Sequence, residues 1–168
     1  MAKAMFDHLK TEKKEQIIQA LFTVFSKKDL LTVSVKDIVE EAGIPRGSFY
    51  TYFEDLQDAY SQVLETVLTR VHKQTYTGNP FEAARDFIQT IDQNPDRDFI
   101  RHYYVINEAV LEAHQGYKEK VSSQEALPKW LGSLAVHHLL RQFFLNPVDK
   151  ETILAQLSAV EKWQKGSH

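Results

Sequence analysis

Between residues 42 and 53 the chain reads AGIPRGSFYTYF, which gathers an arginine, a serine, a threonine and two tyrosines around Gly47. A guanidinium, two aliphatic hydroxyls and two phenols make a set of donors and acceptors suited to a polar, anionic partner. Helical phase decides whether they share a face. With Phe49 at zero, a turn of about 100° per residue puts Phe53 near about 40° and Pro45 near about −40°. Those three form one buried stripe, with Ile44 leading into it. On the same count Tyr50 lies at about 100°, Gly47 at about 160°, Thr51 at about 200° and Ser48 at about 260°. Arg46 and Tyr52 flank this outer face. It offers hydrogen bonds to phosphates and base edges without bulk at its centre. Gly47 costs about 1 kcal/mol of helix stability relative to alanine, but it lets another backbone approach closely. Arg46, one residue into the helix, is placed for a guanine edge or a phosphate. Plain solvated surface, with the tyrosines at the rim of a core, fits the same residues.

Such a face must be held by other elements, and the preceding residues supply them. KKEQIIQALFTVFSKK spaces Ile17, Ile18, Leu21, Phe22 and Phe25 as the apolar side of a helix of about four turns, which DLLT ends. Val35, Ile38, Val39 and Ala42 follow at i, i+3, i+4 and i+7. Ser34 is the expected N-cap of that helix, with Asp37 at the capping-box position, and Gly43 ends it. Pro45 is expected at the first position of the next helix. Two short helices joined through a glycine turn outline a helix-turn-helix, whose second helix has the right diameter for the major groove of DNA.

The remainder also reads as helical. Asp55 is placed to cap a long helix over 55–72, along which Leu56, Ala59, Tyr60, Val63, Leu64, Val67, Leu68 and Val71 keep the 3/4 spacing. HKQTYTGNP is the best candidate boundary. Four further helical stretches follow: PFEAARDFIQTID, NPDRDFIRHYYVINEAVLEAH, SSQEALPKWLGSLAVHHLLRQFFL and DKETILAQLSAVEKW. Asn79-Pro80, Asn94-Pro95 and Asn146-Pro147 read as cap-plus-N1 pairs between them. The expected fold is all-α: a three-helix head over 1–54 carrying the helix-turn-helix, and a helical ligand-binding and dimerisation body over 55–168.

Composition excludes more than it selects. The chain has 168 residues, 43% of them hydrophobic, enough for one substantial core. It has no cysteine, hence no disulfide framework or thiolate metal site. With no apolar run near membrane-spanning length and no signal-like start, the expectation is a cytoplasmic protein with no membrane partner. The net charge of −3 does not advertise nucleic-acid binding, and residues 1–60 hold 8 Lys+Arg against 10 Asp+Glu. A DNA-binding role must therefore rest on placement. Catalysis and metal binding find little support, and no cofactor is expected. His137 and His138 are adjacent and point about 100° apart, so they cannot share a metal from one helix. His102, Glu108 and Glu112 do not make an H-E-x-x-H arrangement. There is no nucleophile elbow, Walker loop or G-x-G-x-x-G.

The stretch TVSVKDIVEEAGIPRGSFYTYFEDLQDAY resembles the N-terminal signature of TetR/AcrR-type transcriptional regulators. A Thr/Ser-opened helix is followed by DI…AG and a recognition helix of the form G-[ST]-[FL]-Y-x-[YH]-F. IIQALFTVFSK resembles that family's first helix, and the likeness covers about residues 12 to 65. It implies that Ser34 and Lys36 meet phosphate or a nearby base. Arg46, Gly47 and Ser48 would face the bases, Tyr50 and Tyr52 would meet backbone phosphates with Thr51 between them in the groove, and Pro45 belongs to the same DNA-binding set. Two departures stand out: the glycine common after the first helix is absent from SKKDLL, and Leu56 replaces a lysine common at the start of the fourth helix. Leu56 sits inside the acidic run EDLQD, which implies modest affinity and steep salt dependence.

For the body, the resemblance implies a homodimer on a double-stranded, palindromic DNA operator, released by an unknown small-molecule effector. Leu127, Leu131, Leu134 and His138 on one helix, and Ile153, Leu157 and Val160 on the next, are the candidate interface. Intramolecular core is the competing use of the same residues. Phe87, Ile91, Tyr103, Tyr104, Asn107 and Trp130 are the candidate ligand contacts, and plain core is again the alternative. A helical protein–protein interaction module of the same fold, without specific DNA binding, is the competing function.

Overall fold

The computed structural model describes residues 3–75, 78–116 and 127–166, and among these every regular element is helical. Residues 122–126, expected to begin the penultimate helix, lie outside the described residues, as do Tyr76 and Thr77 of the expected boundary. The chain forms two compact units. The first runs to residue 71 and takes in 98–116; the second holds 72–97 and the C-terminal helices.

In the first unit, α1 (Ala4–Asp7) is a single turn absent from the sequence expectation, and α2 (Thr11–Lys27) follows it. α2 buries Ile17, Ala20, Leu21, Val24 and Phe25, an i, i+3, i+4, i+7, i+8 stripe, with Ile18 and Phe22 half-buried at its edge. α3 (Val35–Ala42) starts as expected. The Ser34 hydroxyl accepts from the Asp37 N–H at 3.3 Å, and the Asp37 carboxylate accepts from the Ser34 N–H at 2.9 Å. Gly43 ends α3 at φ 62°, a left-handed conformation that glycine adopts without steric cost. Gln16 of α2 donates to the Ala42 carbonyl at 3.1 Å, fixing where α3 stops.

α4 (Arg46–Tyr52) comes next, then α5 (Leu56–Thr75). Asp55 caps α5 by accepting from the Asp58 N–H at 2.7 Å. The expected helix near residue 100 runs without a break from Arg97 to Gln115, as α7 (Arg97–His102), a π-helical turn over Tyr103–Asn107, and α8 (Glu108–Gln115). Tyr60 of α5 sits between Phe25, edge-on at 4.9 Å, and Phe99, stacked at 5.2 Å. Two polar bonds reach from this segment to the end of α2 and the loop after it: His102 Nδ1 to the Phe25 carbonyl at 3.1 Å, and the Leu30 N–H to Asn107 Oδ1 at 2.8 Å. Asn107 is fully buried, so the second bond satisfies its side-chain oxygen and the Leu30 N–H away from water.

The second unit contains α6 (Pro80–Thr90), α9 (Leu127–Leu145) and α10 (Lys150–Gly166). Asn79 caps α6 by accepting from the Phe81 N–H at 3.0 Å, with Pro80 at N1 as expected. The other two Asn-Pro pairs differ. Asn94 forms a side-chain turn, accepting from the Asp96 N–H at 2.8 Å, and α7 begins only at Arg97. Pro147 opens a short 3₁₀ turn ahead of α10, and Asn146 donates to Asp149 at 2.8 Å rather than capping. Glu161 of α10 ties the unit together. It accepts from Asn79 at 2.6 Å, pairs with Arg85 at 2.8 Å and meets Lys165 at 2.8 Å. Gly132 of α9 marks a close approach: a Cβ there would lie 3.1 Å from the Gln164 amide and 3.3 Å from Phe81.

Candidate nucleic-acid interface

A seven-residue helix with an internal glycine does not hold itself in water, so α4 depends on tertiary contacts. Phe49 and Phe53 are fully buried and 5.4 Å apart, and they anchor it. Ile44, also buried, packs with Ala20 and Ala42 and leads the chain into the helix. The expected stripe is corrected at one residue. Pro45 is exposed, because it is the extended N-cap (ψ 147°) rather than the first helical residue and so lies off the helical phase.

The opposite face is open. Arg46, Gly47, Tyr50 and Thr51 are exposed and Ser48 is half-buried, while nothing lies within 4 Å of a Cβ built on Gly47. The Thr51 hydroxyl donates back to the Gly47 carbonyl at 3.1 Å, which leaves its oxygen able to accept. Tyr50 stands edge-on to Phe49 at 5.2 Å and is 45% exposed as a residue. Tyr52 is more committed. It is half-buried against Phe6 and beside the Ala20–Ala42–Ile44 cluster. The expected DNA-facing residues of α4 are thus brought to one surface, with Tyr52 at its margin.

At the start of α3 the Ser34 hydroxyl is engaged in the capping box and also donates to Asp37 at 2.8 Å. Lys36 is exposed, paired with Glu40 only at 3.6 Å across water-facing side chains, a contact that holds it weakly. Lys28 meets Asp37 at 2.7 Å; that hydrogen bond, with those from Ser34, holds the Asp37 carboxyl at about 2. The acidic run after α4 is less exposed than its composition implies. Asp58 is buried and accepts from the Glu54 N–H at 3.0 Å, and Asp55 caps α5 while meeting His114 at 3.2 Å. Two of the three carboxylates are therefore turned to the chain's own groups.

Residues 17–57, which contain α3 and α4 and most of α2, match the family model of bacterial regulatory proteins, tetR family. This segment is similar to the tetR-family head. Its relatives include the HTH-type transcriptional regulators YfiR and YvdT of Bacillus subtilis (strain 168). YfiR is 36% identical over 59 residues, 35% of this chain and 29% of the relative. YvdT is 33% identical over 97 residues, 56% of this chain and 49% of the relative. AcrR of Shigella flexneri is 23% identical over 83 residues, 46% of this chain and 39% of the relative. The chain thus spans about half or less of the length of the curated relatives it matches. All are regulators, and no enzymatic family is indicated.

Outside the segment that matches the tetR-family model, the expected ligand residues fall in separate units. Tyr103, Tyr104 and Asn107 lie together on the π turn of the first, and Phe87, Ile91 and Trp130 belong to the second. Burial pushes the Tyr103 and Tyr104 phenols above their ordinary range, and Tyr103 donates to Glu108 at 3.1 Å. Clefts of about 570 Å³ and about 410 Å³ in the second unit are lined by other residues, among them His138, Gln142 and Gln156 in the larger. Of the expected interface residues, Ile153 and Leu157 are buried inside the unit, and Leu131 and Val160 are half-buried. Leu127, Leu134 and His138 are exposed. No helix among the described residues is long and apolar enough to cross a membrane. No group of three or more His, Cys, Asp or Glu among them is arranged to hold a metal. Sequence reasoning missed Lys3 and Phe6, which pack on α4; a lone phenylalanine in MAKAMF was the only signal.

Proposed function

We propose that the protein is a dimeric transcriptional repressor, not an enzyme, that binds a palindromic operator through α4 and is released by a small-molecule effector. The observation that carries this reading is the outer face of α4. A cation, hydroxyls and a phenol surround a bare Gly47, on a helix whose opposite side is locked by Phe49 and Phe53. Arg46 and Thr51 meet base edges in the major groove, while Tyr50 and Lys36 meet phosphates and set the register. Two copies place two heads on successive major grooves about 34 Å apart.

Exposed residues along α9 support the dimer. Leu127, Leu134, His138 and Leu145 share one face, at steps of seven, four and seven residues, with half-buried Leu131 among them. The effector reading is supported by the π turn, a geometry that recurs at functional sites, carrying Tyr103, Tyr104 and Asn107 together. Effector binding shifts the separation of the two α4 helices through the long α5, a change of population between two arrangements. A gel-shift titration with the DNA upstream of the protein's own gene tests the reading. A sequence-specific complex that Arg46→Ala weakens is expected; no specific complex at low salt, or an Arg46→Ala variant that binds like the parent, contradicts it.

A further inference from the structure

We infer that Lys3 is a positioning residue for DNA binding, holding the C-terminal end of α4 from outside the helix. The inference rests on the reading of α4 as the DNA-reading helix. The need arises in α4 itself. The last four carbonyls of an α-helix have no partner within it. In α4 the Phe49 carbonyl is met by the Phe53 N–H at 2.8 Å, which leaves those of Tyr50, Thr51 and Tyr52. No basic residue lies in the last turn and no glycine follows to fold the chain back over these groups.

Lys3 meets two of the three. Its backbone N–H donates to the Tyr52 carbonyl at 2.9 Å and its ammonium donates to the Tyr50 carbonyl. One residue thus supplies both the missing donors and a positive charge at the negative end of the helix. The arm that brings it there is anchored. Lys3 is the N-cap of α1, and Phe6 of α1 is fully buried, 4.9 Å from Phe53 and 6.0 Å from Tyr52. Lys14 of α2 closes over the Phe6 ring at 5.1 Å and pairs with Asp7 at 3.0 Å. α4 is therefore gripped by its own phenylalanines on one side and by this arm at its end. The arm sets the angle at which Arg46, Gly47 and Thr51 stand out from the head.

Positioning and direct phosphate contact predict different salt behaviour. A lysine on a phosphate contributes close to one unit to the slope of log K against log salt, whereas a lysine on two carbonyls contributes nothing to it. The test compares Lys3→Met and Lys3→Arg with the parent full-length chain. It reads duplex affinity between about 50 and about 200 mM salt, and amide hydrogen exchange over residues 46–53. Lys3→Met is expected to weaken specific binding by about threefold to tenfold, leave the slope unchanged and speed exchange at Phe53. Lys3→Arg is expected to restore both. A slope reduced by about one with exchange unchanged overturns the inference in favour of a phosphate contact, and so does a Lys3→Met variant with parental affinity and exchange. If the parent binds no specific duplex, the DNA reading of α4 fails. Exchange at Phe53 then still decides whether Lys3 holds the helix.

Discussion

On the proposed reading of α4, Gly47 is where helix stability and DNA recognition pull in opposite directions. A Cβ at this position meets nothing within 4 Å, so Gly47→Ala introduces no clash in the free protein. Alanine is the better helix former by about 1 kcal/mol, so thermal unfolding of Gly47→Ala is expected at a slightly higher temperature than the parent. DNA affinity is expected to fall, because the methyl group occupies clearance that a duplex needs. Raised stability with lost binding separates a functional glycine from a tolerated one; equal binding by both proteins would remove Gly47 from the interface. Arg46→Ala, by contrast, is expected to cost about 1–3 kcal/mol of binding and to relax preference at one base position. Competition binding against single-base operator variants checks it.

Among the elements, α3 and α4 were legible because their signals are local. Ser34 and Asp37 lie three residues apart, Gly43 adopts its left-handed conformation unaided, and the apolar spacing of Val35 to Ala42 fixes a face. Pro45 was misplaced by one position, since its fixed φ of −63° suits either the first helical residue or the extended cap before it. The tie between Asn107 and the Leu30 N–H joins residues 77 apart, and no local pattern announces it. The π turn that presents Asn107 was equally hidden, because its five-residue register answers to packing rather than to apolar periodicity. Asn107→Ala leaves a buried N–H unsatisfied and is expected to destabilise the protein by about 1–3 kcal/mol in denaturant unfolding; parental stability would show that water or a rearranged backbone replaces the bond.

The α3 cap also has a pH signature. The folded Asp37 carboxyl lies at about 2 against an ordinary 3.8, so its ionised form favours the folded state. That contribution is complete above about pH 4 and fades as pH falls towards about 2. Amide signals of α3 are expected to shift or broaden across this window. An Asp37→Asn variant should lack that transition while being less stable at neutral pH.

At the level of the whole molecule, α9 is apolar on more sides than the second unit covers. Sequence periodicity alone did not separate its inward from its outward residues. It grouped Ile153 and Leu157 of α10, which the unit buries, with Leu127 and Leu134 of α9, which it exposes. Leu134→Lys places a charge on the exposed side without touching the buried one. It is expected to shift sedimentation towards monomer and to lower operator affinity by at least about tenfold, about 1.4 kcal/mol. A variant that sediments and binds like the parent would move the interface elsewhere.

The central claim, that this chain with its net charge of −3 binds duplex DNA through one well-placed helix face, stands or falls on salt. Lys36 and Arg46 from two copies bring cations to the duplex, so counterion release predicts that specific binding weakens as salt rises. The measurement is binding to the upstream duplex and to a scrambled duplex, each titrated from about 50 to about 200 mM salt. Affinity for the upstream duplex is expected to fall by orders of magnitude across that range while staying above that for the scrambled one. A flat slope, or equal affinity for both duplexes, would contradict the account and leave a helical protein–protein interaction module as the function of this fold.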